Sequence, residues 1–347
     1  DVFYHPQIST SDFIDLEKTL FDKIYYKSQD TAYTRPALSP VVELLIKKRD
    51  GLIPDAEADA QIAALKNYDV RNDLQKYWYS PSVNQQYDLS FSGGADKLAY
   101  LFSAGYNDNL SSLETSNRRL SLRTENTFRP LKNLEINVGL LYTGTREKTG
   151  KGNHASLSTT GDKRLYPYAR LADDNGDPLA ITKNYRNAFL ESSINQGFLD
   201  WSYVPLEDYK EQKNTRNLAD LLLNTGLKYT LNPSFSAELR YQLEQAQGSN
   251  SLLYGENSYF SRNLVNQYSR LVSGTLNRPI PVGGILDLSA NKLLSNSFRG
   301  QLNFNKQLDK HAIYALAGAE SRRVKTSSNS GRTYGYDEQV LTSSVVD

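Results

Sequence analysis

Leu134-Glu135-Ile136-Asn137-Val138-Gly139-Leu140-Leu141-Tyr142-Thr143 decides the fold. Leu134, Ile136, Val138, Leu140 and Tyr142 fall on one face, and Glu135, Asn137, Gly139, Leu141 and Thr143 on the other. A period of two belongs to a strand, because successive side chains leave opposite faces of the pleat. The same alternation runs outward through Tyr87/Leu89/Phe91 and Leu98/Tyr100/Phe102/Ala104/Tyr106. It recurs in Leu221/Leu223/Thr225/Leu227/Tyr229, Phe235/Ala237/Leu239/Tyr241/Leu243 and Phe298/Gly300/Leu302/Phe304. The spacing predicts eight strands, near 86–92, 98–107, 118–129, 134–145, 217–229, 235–245, 297–306 and 311–321. Several run to ~10 residues or more, beyond the ~5–6 usual in soluble sheets.

A strand with one apolar and one polar face suits a soluble sandwich, and it equally suits a membrane barrel with lipid outside and a wet lumen within. The connections separate the two. Short links follow the first, third, fifth and seventh strands: Gly93–Lys97, Pro130–Asn133, Thr230–Ser234 and Gln307–Lys310. Long links follow the second, fourth and sixth, at about 108–117, 146–216 and 246–296. Alternation of tight periplasmic turns with long external loops is the pattern of an outer-membrane barrel. The fold predicted is therefore all-β, an antiparallel transmembrane β-barrel segment of about eight strands from a larger barrel.

Composition fits that reading. The 347 residues carry 40 Lys+Arg against 39 Asp+Glu, which gives no electrostatic case for a nucleic-acid partner. No stretch approaches the ~20 apolar residues of a spanning helix, so a helical membrane protein is excluded. The 24 Tyr against 12 Phe and 2 Trp suit a boundary between apolar and wet surroundings. Zero Cys removes disulfides and thiolate chemistry. Asp1–Pro6 shows no targeting signal, and Ser343–Asp347 no closing element, as expected of a mature product or of a piece of something longer.

Residues 1–85 read instead as helical. Ser11 precedes Asp12–Phe21, whose apolar positions 13, 16, 20 and 21 keep helical spacing. Ser39-Pro40 opens a helix over Val41–Arg49, closed by basic residues and Gly51. A third helix is expected across Pro54–Leu65. The domain reading is a helical external loop region at 1–85, followed by barrel strands at 86–347.

No catalytic constellation is present. His5, His154 and His311 are far apart and there is no Cys, so neither a His-rich metal site nor a Cys nucleophile can be assembled. No particular carboxylate pair is singled out for glycoside hydrolysis, and Gly283-Gly284 lacks the Lys-Ser/Thr of a phosphate loop. Asp173-Asp174-Asn175-Gly176-Asp177 lacks the order and closing Glu of an EF-hand and reads as a turn. The expectation is a non-enzyme without a cofactor. Candidate ligand-facing loop residues are Tyr166, Tyr168, Trp201 and Tyr203, with Trp201 either a packing anchor or a stacking surface. Candidate lumen-wall residues are Arg119, Arg123, Glu125, Glu238 and Arg240, which also fit wet-face charges pairing across strands.

Gln86–Tyr100, Ser103-Ala104-Gly105-Tyr106 and Arg119–Arg123 resemble the early barrel strands of SusC/RagA-like TonB-dependent transporters. Asp69–Asp73, Tyr166–Ala169, Asn175–Leu179, Trp201–Leu206 and Ile313–Glu320 resemble other runs of the family, in its order. The resemblance implies an outer-membrane importer of Bacteroidota-type bacteria, taking up oligosaccharides or peptides through a barrel of roughly 22 strands. It implies a SusD-like surface lipoprotein over the external face. It also implies energy from TonB–ExbB–ExbD, through a plug and TonB box that these residues do not include. The alternatives from the residues alone are a self-contained small outer-membrane barrel (adhesin or porin) and a soluble carbohydrate-binding β-protein.

Overall fold

Alternation at a period of two, carried over ~10 or more residues, leaves each strand free to pair along its whole length. The computed structural model describes residues 7–158 and 164–343, so His5 and the last four residues lie outside the described residues. The first half of the sheet is β1 (Val83–Ala95), β2 (Leu98–Leu110), β3 (Ser116–Leu131) and β4 (Leu134–Thr149). After a long connection come β5 (Gln212–Asn232) and β6 (Phe235–Tyr254). A small hairpin, β7 (Arg270–Val272) and β8 (Thr275–Asn277), precedes β9 (Gly284–Leu308) and β10 (His311–Tyr336). The large strands pair antiparallel in the order β1-β2-β3-β4-β5-β6-β9-β10. Among the described residues β1 and β10 do not pair with each other, so the sheet is open at both edges.

All eight expected strands are present, and most run well past their predicted ends. The turns at one end shrink to two residues each: Asp96-Lys97, Lys132-Asn133, Pro233-Ser234 and Asp309-Lys310. At the other end residues 150–211 and 255–283 are long connections, but the first expected long loop is not. Ladder pairing continues from Asn107↔Arg119 up to Leu110↔Ser116, leaving only 111–115 as a loop. Polar residues in 108–117 suggested a loop, yet polar side chains are tolerated on strands whose faces meet water. The hairpin β7–β8 was not foreseen. Its two-residue turn, Ser273-Gly274, needs positive φ at both positions (51° and 81°), which Gly274 adopts without steric cost.

The N-terminal helices are α1 (Thr10–Asp22), α2 (Lys27–Asp30), α3 (Pro40–Arg49), α4 (Asp55–Leu65) and α5 (Val70–Asp73), followed by a π-helical turn at Leu74–Trp78. Strand structure then begins at Val83, close to the expected boundary. The Ser39–Pro40 start is as read: the Ser39 hydroxyl caps α3 by accepting from the Val42 amide. For α1 the cap is Ser9 rather than Ser11, its Oγ accepting from Asp12 N–H at 3.1 Å. Its buried stripe also differs, comprising Thr10, Ile14 and Glu17, while Leu16 is exposed. The helix turns these residues inward because Glu17 finds buried hydroxyl partners, which hydrophobic spacing alone cannot reveal.

Three further helices lie in the long connections: α6 (Asn187–Ile194), α7 (Pro205–Asp208) and α8 (Tyr259–Tyr268). They pack with α1–α5 into a cap, and the main apolar core is there. Ile14, Val41, Ile62, Val70 and Trp78 join Leu157, Leu171, Ile181 and Leu206 in one buried cluster. By contrast β1–β4 contain no buried residue on either face. Most of the sheet's apolar side chains are left uncovered by the described residues; Leu253 and Ile285 are the buried exceptions.

Candidate functional site

Register places those side chains. Tyr100, Asn126, Val138, Thr225, Tyr241, Phe298 and Ser321 form one cross-strand row, and Leu98, Phe128, Ile136, Leu227, Leu239, Gly300 and Ala319 the next. Both rows lie on the face that also holds Tyr87, Tyr106, Tyr142 and Tyr229. Leu89, Phe91, Phe298 and Leu302 on this face are all more than half exposed. On β9 the apolar run from Leu294 to Phe304 spans ~33 Å along the strand at ~3.3 Å per residue. At a barrel tilt of ~40° that is ~25 Å of height, the size of an outer-membrane apolar band.

The opposite face is more polar. One of its rows reads Thr127, Asn137, Gly226, Arg240, Arg299 and Glu320. A groove of about 520 Å³ opens here, lined among others by Glu125, Glu238, Arg240, Gln242, Arg299 and Glu320. The face is not uniformly polar, since Leu141 and Leu222 stand opposite each other on it. All five expected wall residues, Arg119, Arg123, Glu125, Glu238 and Arg240, belong to this face; Glu125, Glu238 and Arg240 line the groove itself. Their ion pairs run along the strand rather than across it. Arg123 meets Glu125 at 2.5 Å and Arg240 meets Glu238 at 2.6 Å. Neighbours two apart on one strand share a face, and an arginine is long enough to reach along it. The sequence reading missed Arg299 and Glu320. For Arg299 the signal was the alternation already used for Phe298/Gly300/Leu302, read on its other parity; Glu320 lay within the expected strand 311–321.

The loop aromatics have a different fate. Tyr166, Tyr168, Trp201 and Tyr203 are all buried, each less than a tenth exposed. Of the two roles open to Trp201, its surroundings are those of a packing anchor. Its ring contacts Tyr185, Phe189 and Phe198, and its Nε1–H donates to Asn263 at 3.0 Å. Tyr203 sits edge-on to Tyr259. Tyr166 and Tyr168 lie 4.7 Å apart between centroids, and the Tyr168 hydroxyl donates to Glu17 at 2.7 Å. These rings turn inward because the cap forms its own apolar core. All four expected ligand-facing rings are thus placed in the buried core of the cap.

The cap has a polar frame as well. Glu17 is buried and accepts from the Ser39 hydroxyl at 2.5 Å as well as from Tyr168. Loss of water raises its pKa to about 7, although both hydroxyl bonds oppose the shift. Arg186, just before α6, clamps Glu43 through two hydrogen bonds of 2.9 and 2.8 Å and reaches Asp30 at 2.6 Å. The Asp173–Asp177 stretch is a turn, with Asn175 and Asp177 amides donating to the Asp173 carboxylate and Gly176 at φ 93°. Asp174 in the same turn pairs with Arg170 at 2.5 Å.

No protein-family model and no curated protein matches the sequence. Solved structures do match in fold. The chain aligns with the RagAB peptide transporter at a TM-score of 0.60 and 18% identity, over 80% of this chain and 28% of that one. The RagAB peptide importer in its open-open state gives 0.59 and 18%, over 78% and 27%. Its closed-closed state gives 0.58 and 19%, over the same shares. This chain thus spans little more than a quarter of the length of those structures, and at such identity the likeness is one of fold.

Proposed function

We propose that the chain is part of an outer-membrane importer, forming a sector of its barrel wall and external cap. One observation carries this: eight long strands expose a mainly apolar face that none of the described residues covers. Soluble monomers rarely leave apolar surface of that extent to water, whereas lipid covers the outside of a barrel. The fold likeness to RagAB chains supports the reading, as does the cap at one end of the strands. The open edges at β1 and β10 suit a sector of a larger barrel better than a self-contained eight-strand one.

In this reading the groove around Glu125, Arg240 and Arg299 belongs to a polar lumen, and the cap faces outward beneath a SusD-like lipoprotein. Oligosaccharides or peptides are captured and released inward without bond-making, driven through TonB–ExbB–ExbD. A wall of mixed charges in a wet groove offers many weak contacts, which suits passage better than tight retention. The test is fractionation of the full-length protein expressed in its own host, followed by detergent extraction and pull-down. Recovery in the outer membrane with a lipidated second subunit is expected. A protein that stays soluble without detergent overturns the reading.

A further inference from the structure

Beyond the apolar band, toward the end bearing the cap, the outward face changes character. Arg118, Arg146 and Lys292 all lie on this face, as their register to Asp108, Asn217 and Gln247 establishes. All three are exposed. Arg118 engages Asp108 at 3.1 Å, while Arg146 and Lys292 have no ion-pair partner among the described residues. At the turn end of the same face the side chains are mainly aromatic instead: Phe128, Tyr229, Phe235 and Phe304, with Phe235 and Phe304 4.7 Å apart. The two margins of the apolar band therefore differ in charge.

The basic margin also has a shape. A depression of about 570 Å³ opens there on the outward face. Its rim holds Arg118, Arg146 and Lys292, and its floor is made of small residues, Gly144, Ala219, Ser249 and Ala290, drawn from four adjacent strands. Gly144 leaves room for the Tyr142 ring; a Cβ there would stand 3.0 Å from the Tyr142 hydroxyl. Leu120 and Tyr142 complete the lower side, where the depression runs into the apolar band.

We infer that this depression is a binding site for the phosphate-bearing headgroup of an anionic lipid of the outer leaflet. Three cations around a floor of small residues match the charge and bulk of a headgroup, and the apolar side chains directly below match its acyl chains. Arginine recognises phosphate through paired N–H donors, and Arg146 is free to do so. A basic cluster in plain water has no reason to sit next to an uncovered apolar band; at a membrane interface each cation is worth ~1 kcal/mol toward anionic lipid. The inference rests on the membrane reading given above.

The test uses the full-length protein purified in detergent, titrated with phosphatidylglycerol or phosphatidylcholine and followed by native mass spectrometry. Arg118→Gln/Arg146→Gln/Lys292→Gln is compared with wild type and with Lys306→Gln, a change at the opposite margin. Heat-modifiable migration on a gel reports whether each protein is folded. The expected result is a loss on the order of a hundredfold in phosphatidylglycerol affinity for the triple variant. Lys306→Gln should bind as wild type, and phosphatidylcholine should bind weakly to all three proteins. If the triple variant does not fold, Arg146→Gln alone is read in the same way, with a several-fold loss expected. Phosphatidylglycerol binding within twofold of wild type in a folded variant, or equal binding of phosphatidylcholine, overturns the site while leaving the membrane reading intact. A protein that needs no detergent to remain soluble fails that earlier reading instead.

Discussion

Arg240 and Arg299 stand directly opposite each other on β6 and β9, two cationic residues paired in register on the polar face. Like charges in this position oppose strand pairing. Each is held by a neighbour along its own strand, Arg240 by Glu238 and Arg299 by Gln301 at 2.7 Å. A position that costs the sheet stability yet presents two cations to a groove is a candidate anion contact.

Replacing Arg299 with Gln should therefore stabilise the sheet slightly, by at most ~1 kcal/mol given water screening. The same change should weaken binding of a ligand carrying a free carboxylate by roughly tenfold, the worth of a charge-assisted hydrogen bond. Thermal unfolding in detergent and calorimetric titration with an acidic and an amidated peptide measure the two effects. Equal loss for both peptides would show that charge is not what Arg299 contributes.

Glu17 predicts a pH dependence of the cap. Its folded pKa of about 7 lies above the 4.5 of a free glutamate, so the folded cap holds the proton more tightly. The stabilisation is complete below about pH 4.5 and disappears as pH rises through 7, a difference on the order of 3 kcal/mol. Trp78 and Trp201 both lie in the cap core, so tryptophan fluorescence reports its unfolding. The midpoint should fall between pH 5 and pH 8 in wild type and stay flat in Glu17→Gln. A wild-type midpoint independent of pH would sink the idea.

Arg186 is the clamp between the long connection and the N-terminal helices. Arg186→Met leaves the buried Glu43 carboxylate without its partner, which should cost ~3–5 kcal/mol. Asp30 keeps a second partner in Arg49 at 2.9 Å. Adding Glu43→Met to Arg186→Met should recover most of the loss, because the uncompensated charge is then gone. Limited proteolysis across residues 10–50 distinguishes the outcomes, and a double variant as fragile as the single one would contradict this account.

Trp201→Ala should destabilise the cap by ~3–5 kcal/mol, as emptying an aromatic core position does. If the ring instead served a ligand at the surface, the variant would bind ligand more weakly with an unchanged cap unfolding midpoint. Fluorescence from the remaining Trp78 follows the unfolding, and a binding assay follows the ligand.

Strand order was legible in the chain because each strand writes its period locally: Leu134 to Thr143 states its two faces without reference to any other residue. The helix start at Ser39-Pro40 was legible for the same reason, since a cap and a proline act on their own backbone. The four tight turns were legible from Gly, Asn, Pro and Asp at fixed places. Two things were not. Alternation identifies two faces but does not say whether a polar stretch such as 108–117 stays paired, which depends on a partner strand. Aromatic content in a loop does not say whether Tyr168 or Trp201 turns inward, because that choice needs Glu17, Ser39 and Asn263 brought from far along the chain.

The sequence by itself determined the eight long strands, their order and which side chains share a face, because period, caps and turn chemistry are local. Tertiary structure alone decided what those faces meet. It folded the loops into a cap with its own core, set Arg240 against Arg299, gathered Arg118, Arg146 and Lys292 around a shallow floor, and left the apolar face of the sheet bare. Those are relations between residues tens of positions apart, fixed by register and packing, and no local pattern encodes them.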